Sequence, residues 1–192
     1  MTEHKNKLFP FAWVLLVIVI MAFVAYFLYV NRFKGNKTID LSAQQTDLIN
    51  RHENDTTVTD FISYVSDGSN KMSLDHEYSN TALIKLSRAV SAMARATDYV
   101  VKANLNEAET DADKITRDPL AITHADNIRK AADILIEALN NLQKAKYPTL
   151  AAEVAAVSEA AQQIDPDVMT LDQKSKVKQF FQRSAELLSK MN

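Results

Sequence analysis

The residues best equipped for chemistry are histidines beside carboxylates. His52-Glu53 and His76-Glu77 are adjacent pairs, and His124 stands two residues before Asp126. An imidazole with a carboxylate can serve a metal or an acid–base step. A site built from His52, His76 and His124 would need three helices to bring them together, and helical bundles do host metals in their cores. The spacing argues for a simpler role. The Glu-x-x-His pairing of di-iron bundles is missing. His76-Glu77 and His124 fall in predicted first turns, where the helix dipole favours a carboxylate in any case. The histidines are therefore read as capping or solvated residues, with metal binding as the alternative. The chain has no cysteine, so no Cys-x-x-Cys-His haem attachment exists, and no cofactor is expected.

Other catalytic parts are missing. Nucleophilic catalysis needs a nucleophile, a base and a group that orients the base. No serine sits in a Gly-x-Ser-x-Gly elbow, and the two glycines cannot form a phosphate-cradling loop. Enzyme activity is not expected. The acidic series Glu107, Glu109, Asp111, Asp113 lacks the glycine and further aspartate of a calcium loop. Spaced by two on a helix, these carboxylates fan outward, so a solvated helix end is expected. Phe61 and the Phe180-Phe181 step carry more bulk than one helix face requires. Core packing is the plain reading, and a partner-binding surface is the sharper one.

These residues must be held by helices. Two glycines and four prolines in 192 residues are too few for the turns of a sandwich or barrel. Alanine, leucine, glutamate, lysine and glutamine dominate after residue 80 and favour helix. The expectation is an all-α chain. The apolar spacing predicts segments near 40–65, 73–117, 119–147, 149–164 and 171–191. The first, weakened by the β-branched run at Thr56-Thr57-Val58-Thr59, can be one helix or two. The second is read as the longest helix, with its end beyond Asn104 projecting or bending. Asp118 is expected to cap the third, and Thr170-Leu171-Asp172-Gln173 reads as a capping box for the fifth. Short links make neighbours antiparallel, giving a four- to five-helix bundle.

One stretch stands apart. Leu8 to Val30 contains no charged residue, and its core from Phe11 to Val30 is twenty residues long. At about 1.5 Å per residue that spans a hydrocarbon layer of roughly 30 Å. Phe11 and Trp13 at one end, and Tyr26 and Tyr29 at the other, resemble an interfacial aromatic belt. The run is too long for a signal peptide and lacks small residues at a cleavage position. The predicted organisation is a short tail at 1–7, a transmembrane helix at 8–31, a polar hinge at 32–39 and a bundle domain at 40–192. Lys5 and Lys7 nearly balance Arg32, Lys34 and Lys37 across it, so the positive-inside rule decides little. The expected location is a plasma or bacterial inner membrane with the C-terminal domain extracytoplasmic.

From Thr38 onward 23 Asp and Glu face 17 Lys and Arg, a net charge of −6. That balance disfavours nucleic acid, whose phosphates need clustered cations, and disfavours anionic lipid along the bundle. The expected function is a membrane-anchored helical-bundle module that binds a protein partner or scaffolds an envelope assembly. A ligand- or metal-binding extracytoplasmic bundle is the alternative.

Overall fold

A computed structural model describes residues 21, 22, 24–26, 29, 41–118 and 120–192. The described residues are helical or lie in turns, with no strand among them. Six α-helices follow in order: α1 (Leu41–Ser66), α2 (Glu77–Ala96), α3 (Leu105–Arg117), α4 (His124–Lys146), α5 (Ala151–Gln162) and α6 (Lys174–Met191). Short 3-10 turns at Pro148–Leu150 and Thr170–Gln173 lead into α5 and α6. The all-α class expected from composition is what forms.

The expected anchor, 8–31, lies outside the described residues except for six of them. Those six are helical and exposed, Tyr26 and Tyr29 included, whereas Phe11 and Trp13 are not among them. Among the described residues no helix is long and apolar enough to cross a membrane. The chain divides between Gln45 and Thr46, and the second unit, Thr46–Asn192, is the bundle.

The bundle has six helices rather than four or five because the predicted long second helix is two. The helix ends at Ala96, Asp98 adopts a left-handed conformation with φ 50°, and the Asp98 and Tyr99 amides close the end on the Arg95 and Ala94 carbonyls. A new helix starts at Asn104, whose side-chain oxygen accepts from the Glu107 amide at 3.3 Å. This is an N-cap, satisfying one of the orphan donors of a first turn. The helix beyond Asn104 neither projects nor bends away. It packs on α2 and α4 and buries Ala108, Asp111, Ala112 and Ile115. The side chain of Asn80 also ties α2 to the Ala112 carbonyl at 2.9 Å.

The other helices follow their apolar stripes. Leu83, Leu86, Val90 and Met93 of α2 face Ile128, Leu135, Leu139 and Leu142 of α4, Val157 of α5, and Val177, Phe180 and Phe181 of α6 within one buried core. α1 is a single helix despite its β-branched run. It joins the core through Val58, Phe61 and Val65, and its residues from Ser42 to Glu53 are exposed apart from the half-buried Asn50. Ion pairs Glu53–Arg95 and Asp60–Lys85 fasten it to α2.

Tyr64 stacks on Tyr78 with centroids 5.7 Å apart, and Tyr78 meets the Phe181 ring edge-on at 5.9 Å. Burial pushes the Tyr78 hydroxyl up to about 12 from 10.0. A raised pKa in the folded state stabilises the fold fully below pH 10 and loses that contribution as pH rises towards 12. By pH 11 the wild type is expected to lose about 1 kcal/mol through this group alone. Urea unfolding of wild type and Tyr78→Phe at pH 9 and pH 11 checks it. The difference between the two must shift by that amount in favour of the variant at the higher pH.

Candidate functional site

Three connections meet at one end of the bundle: 67–76 between α1 and α2, 118–123 between α3 and α4, and 163–173 between α5 and α6. Residues from all three line one cavity of about 60 Å³: Leu74 and His76, Leu120 to Ile122 with His124, and Met169 to Leu171. The space suits a few water molecules or the tip of one aliphatic side chain.

Two histidines expected to be capping or solvated form its floor. His76 and His124 are 6% and 3% exposed, and their rings meet edge-on with centroids 4.1 Å apart. Each is placed by its helix start. His76 takes a left-handed conformation, φ 55°, and turns the chain into α2. Its carbonyl accepts from the Asn80 amide, while Asp75, one residue earlier, accepts from the Glu77 amide at 3.2 Å and from the Ser73 hydroxyl at 2.8 Å. Those bonds, the Ser73 hydroxyl foremost, hold the Asp75 carboxyl below its ordinary range. His124 is the first residue of α4, and its Nε2 lies 2.7 Å from the Asp118 carbonyl. A carbonyl can only accept, so Nε2 carries the proton and donates. Neither imidazole caps its helix. The third histidine, His52, is exposed on α1 and joins neither. Among the described residues no group of three or more His, Asp or Glu could hold a metal ion.

The rim of the cavity is apolar and open. Leu74 is 61% exposed, Leu120 81%, Ile122 79% and Met169 54%, with Val168 beside them at 37%. Elsewhere among the described residues of the bundle only Leu48, Ile49 and Val100 are large, apolar and exposed. Soluble surfaces scatter such residues singly, and clustering around a concavity marks an interaction site.

The loop 163–173 is held by an interaction the sequence does not announce. The capping box expected at Thr170–Gln173 does not form. Thr170 is buried with no hydrogen-bond partner for its hydroxyl among the described residues. Gln173, 4% exposed, instead reaches back over the loop. Its amide nitrogen donates to the Asp165 carbonyl at 2.7 Å and the Val168 carbonyl at 2.8 Å, and its oxygen accepts from the Asp165 amide at 2.9 Å. Asp118 likewise serves its own loop, accepting from the Leu120 amide at 3.3 Å, rather than capping α4.

The aromatic residues, read plainly as core and more sharply as a partner surface, are core. Phe61, Phe180 and Phe181 are each 0% exposed, so they are no docking face in the folded chain. The acidic series of α3 is also not uniformly solvated. Asp111 is 3% exposed and accepts from Lys114 Nζ at 2.6 Å, whereas Glu107 and Asp113 are exposed. These corrections share a cause: helix packing selects one face, and the sequence alone does not say which of two candidate faces that is.

No protein-family model, curated protein or solved structure matches the chain.

Proposed function

We propose that this chain is a single-pass membrane protein whose helical bundle serves as a protein-interaction or scaffold module at the cell envelope. Residues 8–31 are the anchor, and the loop end around Leu74, Leu120, Ile122 and Met169 is the docking face. The observation that carries the docking part is the gathering of exposed apolar side chains from three separate connections around one cavity. The anchor part rests on the uncharged run from Leu8 to Val30 and its flanking aromatics. The geometry of α1 suits such a module. From Thr46 to Ser66 it runs about 30 Å, so the loop end lies at the far end of the bundle from where the chain enters it.

Alkaline carbonate extraction of membranes tests the anchor. Full-length chain is expected in the pellet, and a chain lacking residues 1–31 in the supernatant. Recovery of the full-length chain in the supernatant sinks the tether. A photo-crosslinking amino acid at position 122, compared with one at position 100, tests the docking face in intact membranes. An adduct specific to position 122 is expected, and equal or absent adducts at both positions count against it.

The ligand-binding alternative draws on the convergence of His76 and His124. Two imidazoles supply two donors, and a structural zinc site needs four. Zinc titration followed by the imidazole resonances of these two residues decides it. Saturable shifts at micromolar zinc would promote the metal-binding bundle over the docking module.

A further inference from the structure

We infer that the loop end receives a protein segment in which a large apolar side chain is flanked by lysine or arginine. This rests on the reading of that end as a docking face and adds the chemistry of what docks. The three connections 67–76, 118–123 and 163–173 contain Asp67, Asp75, Asp118, Asp165, Asp167 and Asp172 against one cation, Lys71, a net charge of −5. Arg117 and Lys174 stand just outside, at the ends of α3 and α6. All six aspartates are exposed, and among the described residues none belongs to an ion pair. The acids that are paired, such as Asp60, Asp126 and Glu153, lie on the helices.

Four of the six carboxylates do local work. Asp67 accepts from the Ser69 amide and hydroxyl, Asp75 from Ser73 and Glu77, Asp118 from Leu120 and Asp165 from Asp167. These turn bonds use amides and hydroxyls, and among the described residues no lysine or arginine pairs with the six carboxylates. Asp75, Asp118, Asp167 and Asp172 lie within two residues of a side chain that lines the cavity. The face is therefore an apolar centre with an acidic rim. Complementary potential selects the partner and speeds its arrival, while the apolar anchor in the pocket supplies affinity.

The same charge argues against the other occupants. A second copy meeting this face through a two-fold axis would set −5 against −5. An anionic lipid surface is repelled for the same reason. A segment with an apolar anchor between basic residues satisfies both parts of the face at once.

Selection of a random peptide library on phage against the full-length chain in detergent micelles tests this. Enriched peptides are expected to carry Leu, Ile or Met with Lys or Arg close by. As synthetic peptides in fluorescence anisotropy, they should lose at least about tenfold in affinity to Leu120→Ser/Ile122→Ser and to Asp118→Asn/Asp167→Asn/Asp172→Asn. Val100→Ser, on the connection between α2 and α3, should leave binding unchanged, and circular dichroism verifies that each variant folds. Peptides that are acidic or uncharged yet bind at Leu120 and Ile122 overturn the partner chemistry and leave the docking face standing. No enrichment, or enrichment that survives the serine pair, overturns both. Two further results overturn the inference: dimerisation in sedimentation that the serine pair abolishes, which makes the occupant a second copy, and slowed hydrogen exchange across 118–123 on reconstitution into nanodiscs without peptide, which makes it lipid.

Discussion

Phe181→Ala is expected to destabilise the bundle by about 3–5 kcal/mol, the usual range for emptying a fully buried phenylalanine site. A typical domain has only about 5–15 kcal/mol in hand. At about 2–4 °C per kcal/mol for a domain of this size, the melting temperature falls by roughly 6–20 °C. The site has little room to collapse. The ring is 0% exposed and touches two other aromatics, Phe180 at 5.2 Å and Tyr78 at 5.9 Å, and aromatic pairing adds to the area term. It also joins α6 to α2, so its loss loosens two helices together. A partner-surface role for the Phe180-Phe181 step makes the opposite forecast: near-normal melting with weakened association. Thermal melting by circular dichroism separates the two. A melting temperature within about 2 °C of wild type would mean that the ring is not packed as described, since surface changes rarely exceed about 0.5 kcal/mol. Val100→Ala, at an 80% exposed position, is the matching surface control.

The helices were legible where their stripes were strong and their ends were marked. The stripe from Ala125 to Leu142 in α4 and that from Val177 to Met191 in α6 both lie in the core. Pro148 opens the 3-10 turn that follows α4 and Pro166 lies in the connection after α5, both outside α-helix interiors, as their missing amide donors predict. The break between α2 and α3 was hidden because it uses neither glycine nor proline. Asp98 takes the left-handed conformation that glycine usually supplies, and Thr97, Val100 and Asn104 read as a continuation of the stripe from Leu83 to Met93. One signal was present: Asn104 with Glu107 three residues on, a cap pattern in the middle of a presumed helix. The candidate site was less legible still. His76 and His124 are 48 positions apart in sequence and meet only because three connections fold to the same end of the bundle. Leu120 and Ile122 fall inside the helix expected from 119, whereas the helix starts at His124, and only their solvent exposure beside Leu74 and Met169 makes them a surface.

That surface depends on a side chain that never touches it. Gln173 supplies two donors and one acceptor to the loop carrying Val168 and Met169, all within a buried position. Gln173→Ala leaves three backbone groups without their partners. Each such group costs about 1–3 kcal/mol when water cannot replace the bond, and a new cavity here admits some water, so the net loss is expected at about 2–3 kcal/mol. Gln173→Glu is expected to be worse at neutral pH, by about 1–2 kcal/mol more, because a carboxylate facing the Asp165 and Val168 carbonyl oxygens can only accept. Those carbonyls and burial raise the pKa of the introduced carboxyl in the folded state. The sign then follows: the proton-bound form is favoured by folding, so the penalty is absent below the unfolded pKa of about 4.3 and grows as pH rises through the folded value. Urea unfolding of Gln173→Glu against wild type at pH 4, 5, 6 and 7 reads this directly, with the gap between them widening as pH rises. A gap that stays constant across that range would place the side chain in water and remove its hold on the loop. A widening gap together with a slower photo-crosslink at position 122 would tie the order of loop 163–173 to the docking face itself.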